Sequence, residues 1–111
     1  MDKNKVRQQF SRSVNMSAAE LETWLQTTDS QRVGFRRDGE SESVGHASGR
    51  QIVRILRTPA TQLADADYTH MRKVVGYVQR HRAQRPENIY TSRWRYSLMN
   101  WGHDPVKEDE R

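Results

Sequence analysis

The chain predicts an all-α fold, a single compact domain of about five helices with a long loop between the second and third. Three observations carry that expectation. Apolar residues recur at helical spacing along most of the length, strand signals are weak throughout, and capping residues mark helix starts and stops. The 111 residues suffice for one domain, and 33% apolar residues make its core modest. Three Trp, four Tyr and two Phe supply much of that core, because each buries a large area. The 30% of charged residues would fit disorder if the apolar ones were spread evenly, but their periodicity argues for a folded domain under a charged surface.

Val6, Phe10 and Val14 recur every four residues and predict a short first helix up to about Ser13. Ser17 and Glu20 form a capping box before the second helix, with Met16 and Leu21 in the positions of a hydrophobic staple. Its apolar face, Leu21, Trp24 and Leu25, fades near Thr27-Thr28-Asp29. Residues 29–45 show no periodicity and predict a long mobile loop. A third helix should open near Ser48 and stop at Thr58 before Pro59, with Ile52, Ile55 and Leu56 inward.

The fourth helix should begin around Asp65, where Asp65 and Asp67 suit a helix N-terminus, and run to about Gln84. Tyr68, Met71, Val74, Val75 and Val78 gather on one side of it. Thr69, His70, Lys73, Tyr77, Arg80 and Gln84 gather on the other. The fifth helix takes Thr91 or Ser92 as cap and Gly102 as stop, with Trp94, Leu98 and Trp101 together. Residues 1–104 then form the domain and 105–111 a frayed polar tail. The expected core is Trp24, Ile52, Ile55, Leu56, Met71, Val75, Val78, Trp94, Leu98 and Trp101.

Several function classes find no support. Without cysteine there is no disulfide framework, thiolate metal site or thiol nucleophile. The polar start, Met1-Asp2-Lys3-Asn4-Lys5, leads to no apolar secretory segment, and no run approaches a membrane span. A cytoplasmic protein, with association to the nucleoid as the open option, is the expectation. Serine elbows, paired carboxylates in an apolar setting and HExxH spacing are all missing, so no enzyme and no cofactor is expected. His70 and His81 lie three turns apart, too far to share a metal. His46 and His103 would form a polar cluster only if the fold joined their loops.

Charge placement points to a partner. The formal net charge is +5, yet residues 1–29 and 104–111 contribute none of it. From Arg50 to Arg95, ten Lys/Arg face only Asp65, Asp67 and Glu87. Such density costs compaction energy by self-repulsion and suits a polyanion. Arg50, Arg54 and Arg57 fall at i, i+4, i+7 and line one stripe that could follow phosphates. Small residues around Ser48 and Gly49 could leave amides free at a helix start, an anion-binding corner beside Arg50. Lys73, Tyr77 and Arg80 would lie against or inside a groove. Double-stranded DNA is the expected partner, bound mainly through its backbone with little base preference. RNA and an acidic protein docked by a stress-related adaptor are the alternatives. Solvated, ion-paired surface is the plain competing account of every basic stripe.

Four blocks also carry a resemblance: Val14-Asn15-Met16-Ser17, Glu42 to Arg50, Met71 to Val78, and Arg93 to Pro105. Over about Val14 to Lys107 the chain resembles a small bacterial and fungal family of unknown function. Its members are often labelled DNA-binding, and some sit beside a small Tudor-like domain associated with hypervirulence. The resemblance implies DNA as partner and assigns no active-site residue. Ala64 departs from the family pattern, which tends to a hydroxyl cap there.

Overall fold

Ser17 shows how local chemistry starts the fold. Its hydroxyl accepts from the Glu20 N–H at 3.1 Å, and the Glu20 carboxylate accepts from the Ser17 N–H at 2.9 Å. Met16 and Leu21 are buried beside this closed capping box. In the computed structural model, which describes residues 2–109, the box opens the second of seven α-helices, and no strand occurs among the described residues. The helices are α1 (Lys3–Ser13), α2 (Ala18–Leu25), α3 (Thr28–Arg32), α4 (Val44–Leu56), α5 (Asp65–Arg82), α6 (Arg93–Asn100) and α7 (Pro105–Asp109). A single 3-10 turn, Ala60–Gln62, links α4 to α5.

α1 lies along α5 and α2 along α4, while α6 touches α2, α3, α4 and α5. Leu21, Ile52, Val74, Val78 and Leu98 are almost wholly enclosed. Of the expected core, Ile52, Ile55, Met71, Val75, Val78, Leu98 and Trp101 are buried, and Trp24 and Trp94 pack against it half-buried. Leu56 is the exception. It ends α4 and stays 38% exposed, and Val53 takes the inward position instead.

The last residue of α6, Asn100, is buried and fully occupied. Its Oδ1 accepts from Trp24 Nε1 at 2.8 Å and from the Ser30 hydroxyl at 2.5 Å, and its Nδ2 donates to the Ser30 carbonyl at 3.0 Å. Satisfied on both ends, a buried amide adds stability and fixes one arrangement of α2, α3 and α6. Gly102, at φ +82°, ends α6, and its carbonyl accepts from the Asn15 and Met16 N–H groups.

Three expectations need correction. The 29–45 loop is shortened at both ends: Thr27 accepts from the Ser30 N–H and starts α3, and buried Ser43 accepts from the His46 N–H and starts α4. α4 therefore opens one turn earlier than Ser48. The supposed frayed tail is α7, with Pro105 and Val106 buried. Arg82 pairs with Glu108, Arg85 with Asp109 and Lys107 with Glu20, which fastens α7 to α5 and α2. Residues 110–111 of that expected tail lie outside the described residues, as does Met1. α5 starts at Asp65 despite Ala64, because Asp67 Oδ2 accepts the Ala64 N–H at 2.9 Å and supplies half a capping box by itself.

Candidate nucleic-acid interface

Folding redistributes the charge that the sequence segregates. Among the described residues, six of the ten cations between Arg50 and Arg95 acquire carboxylate partners. Arg50 meets Glu42, Arg54 meets Asp67, Arg57 meets Glu22, Arg82 meets Glu108, Arg85 meets Asp109 and Arg95 meets Asp104. All of these carboxylates except Asp67 come from outside the segment. Arg72, Lys73, Arg80 and Arg93 keep no carboxylate partner among the described residues, and the first three belong to α5.

The arginine stripe of α4 is thus a row of ion pairs. Arg50 grips Glu42 with Nε at 2.8 Å and Nη2 at 2.5 Å, and His46 Nδ1 reaches the same carboxylate at 2.5 Å. The Arg50 hydrogen bond is the main cause that holds Glu42 at a pKa of about 2. Arg57 donates to Glu22 at 2.8 Å and 3.4 Å and draws that carboxyl below its usual range. Arg54 donates to Asp67 at 2.5 Å, which with the Ala64 N–H lowers Asp67 as well. The three guanidiniums remain more than half exposed, so solvent screens each pair and each adds little to stability. A phosphate reaching this stripe meets local charge near zero.

Ser48 and Gly49 do not form the expected corner of free amides. Both lie one turn inside α4, where amide hydrogens belong to the helix's own ladder, and both are buried. At the true start, Ser43 Oγ takes the His46 N–H and the Phe35 carbonyl takes the Val44 N–H at 2.8 Å. Ser48 instead faces α5, its Oγ 2.9 Å from His70 Nε2. Gly49 is a packing residue: a Cβ there would stand 2.6 Å from both the Asn100 carbonyl oxygen and Leu25 Cδ2.

α5 presents a different surface. Arg72, Lys73 and Arg80 are exposed on its outward side around Gly76. A Cβ on Gly76 would lie 3.1 Å from Arg80 Nη1, so that guanidinium folds back over bare backbone. Tyr77, expected to contact a partner, is half-buried against the core. Its ring stacks on His81 at 3.8 Å and on Trp101 at 4.2 Å, with interplanar angles of 16° and 14°. His70 continues the stack beyond Trp101 at 6.2 Å and 14°. Trp101 of the α6 terminus is therefore interleaved between α5 rings one heptad apart, and Tyr77 fastens α6 rather than facing outward. Burial pushes the Tyr77 hydroxyl up and, with Lys73 nearby, pushes His70 down.

α1 packs along α5. Lys3 pairs with Asp65 at 3.0 Å and Arg7 donates to the Tyr68 hydroxyl at 2.7 Å, so α1 and α5 run in the same direction. Arg12, exposed on α1, has no carboxylate partner among the described residues.

His46 and His103 share no partner. His46 Nε2 meets the Leu25 carbonyl, while His103 reaches the Ser13 carbonyl and Glu108. Among the described residues no group of His, Cys, Asp or Glu is placed to hold a metal ion, and no helix is long and apolar enough to cross a membrane.

Sequence reasoning missed the carboxylates that neutralise the stripe, because Glu22 is 35 residues from Arg57 and Glu42 lies just before a helix start placed too late. It also missed the contact of Ser48 with His70. One signal for the latter was present: Val44, Ser48, Ile52 and Ile55 extend the helical stripe back past Ser48. No curated protein and no solved structure matches the chain. The family model described as Protein of unknown function (DUF3140) matches residues 9–99, and the chain belongs to that family.

Proposed function

We propose that the protein binds double-stranded DNA through the phosphate backbone, with the outward face of α5 as the central contact. The observation that carries this reading is the sorting of cations into paired and unpaired sets. Among the described residues Arg72, Lys73 and Arg80 have no carboxylate to leave before meeting a phosphate, and they share one long helix. Arg12, on the neighbouring helix α1, is likewise exposed and without a carboxylate partner among the described residues. Arg50, Arg54 and Arg57 rank second, since each would exchange a carboxylate for a phosphate at little net gain. Ser48, Gly49 and Tyr77 support the surface from inside and leave the contact set.

Three to four neutralised phosphates give a slope of log K against log salt of about −3 to −4. Fluorescence anisotropy of a labelled duplex across a salt series tests this. Arg72→Ala, Lys73→Ala and Arg80→Ala should each reduce the slope by about 1. Absence of duplex binding at low salt, or a slope unchanged in the triple variant, overturns the reading. RNA competes through the same phosphates, and a competition at equal length ranks the two. An acidic protein is favoured if charge reversal on α5 leaves duplex affinity intact but loses a co-purifying partner. Carboxylates already meet six neighbouring cations within this chain, so that alternative has a concrete basis.

A further inference from the structure

The geometry points to a pocket for a phosphoryl group in the cleft between α4 and α5, a site that goes beyond the outward face of α5. The cleft encloses about 230 Å³. Ser48 and Gln51 line it from α4, His70 and Lys73 from α5, Arg37 from the 33–43 segment, and Trp101 from the end of α6. Glu40 is the acidic side chain of the lining. Lys73 and Arg37 have no carboxylate partner among the described residues, so two unpaired cations and one carboxylate line the space.

A second observation points to a ligand. The three indole N–H groups divide two to one. Trp24 Nε1 donates to Asn100 Oδ1 and Trp94 Nε1 donates to the His81 carbonyl. Trp101 is only 4% exposed, and its Nε1 has no protein acceptor among the described residues while staying open to solvent, unlike His81 Nδ1, which is enclosed without a partner. An indole donor left to water is available to an incoming oxygen. A Cβ at position 45 would stand 3.0 Å from the Trp101 nitrogen, so the bare Gly45 lets α4 pack this close to the indole.

The chemistry selects a phosphoryl group. Lys73 and Arg37 match the charge of a dianion, and neutral donors on Gln51 and Trp101 match oxygens directed to different sides. Ser48 and His70 satisfy one another at 2.9 Å and form the wall. A nucleic-acid backbone and a free phosphomonoester offer the same group.

The test uses the full chain with inorganic phosphate as probe, read by the amide and indole N–H signals of the three tryptophans. Saturable movement of the Trp101 indole signal, with those of Trp24 and Trp94 still, is the expected result. Lys73→Ala should weaken that titration about tenfold, since it removes a charge-assisted hydrogen bond. No movement at Trp101, or movement unchanged in Lys73→Ala, overturns the pocket. Adenosine monophosphate and a short duplex are then added in separate arms, and the one that displaces phosphate at Trp101 identifies the source. Duplex binding with Trp101 silent removes the pocket and leaves the DNA reading. Phosphate binding without duplex binding does the reverse.

Discussion

Gly49 lies beneath the backbone carbonyl of Asn100, so close that a methyl group at 49 would stand 2.6 Å from that oxygen. Gly45, one turn earlier, lies against Trp101 in the same way. These two glycines let α4 approach the end of α6, and α4 has no room for a side chain at 49. Backbone cannot swing aside as a side-chain tip can. Gly49→Ala should therefore cost about 1–3 kcal/mol despite its better helix propensity, measured by urea unfolding with an unchanged m-value.

Gly76 gives the opposite sign. It sits in the interior of α5 with only the tip of Arg80 near its missing Cβ, at 3.1 Å. A guanidinium tip moves easily. Gly76→Ala should stabilise the protein by up to about 1 kcal/mol, the ordinary penalty for glycine inside a helix. If α5 meets a duplex closely at this bare stretch, the same variant loses DNA affinity while gaining stability. Thermal unfolding and anisotropy on one sample separate the two effects.

The contrast between these glycines explains what could be read from the chain. Local signals were legible: the Ser17–Glu20 box, the Asp65 start of α5, the Ser92 cap and the Gly102 stop all appear where spacing put them. The site was less legible, because its charge balance depends on contacts such as Arg57 with Glu22, 35 residues apart. A periodicity argument shows that Arg50, Arg54 and Arg57 share a face but cannot show which carboxylates fold onto it. The blocks that carry the family resemblance also meet each other. Asn15 exchanges hydrogen bonds with the Asp104 backbone, and Gly45 and Gly49 pack on Trp101 and Asn100. Much of that resemblance is therefore the signature of packing.

Val106 gives a test of the chain's last helix. It is buried in α7, beside the enclosed Pro105, where a frayed tail was expected. Val106→Ala removes two buried methyl equivalents and should cost about 1–2 kcal/mol. A substitution in a frayed tail would change nothing, so equilibrium unfolding distinguishes the two descriptions.

Acid should weaken the fold in two windows. Burial lowers the pKa of His70 and His81 below the ordinary 6.5, so the unfolded chain binds protons there that the folded one resists. Stability is full above 6.5 and declines as pH falls through the depressed values. Glu20 and Glu42 act lower down. Lys107 and Arg50 respectively hold them at about 2 against an ordinary 4.5, so their contribution is present above 4.5 and lost on descent towards 2. Glu42→Gln should flatten the lower decline of the melting temperature and leave the upper one alone. The upper window has its own handle. His70 faces Ser48 and Trp101, with the charges of Lys73, Arg54 and Asp67 nearby and Arg37 and Glu40 across the cleft. Lys73 is second only to burial in lowering it, so Lys73→Ala should raise the His70 pKa in a ring-proton titration. A phosphoryl group in the cleft supplies negative charge and should raise it further in the native chain. An unmoved His70 titration in the variant would mean that burial alone sets its proton affinity.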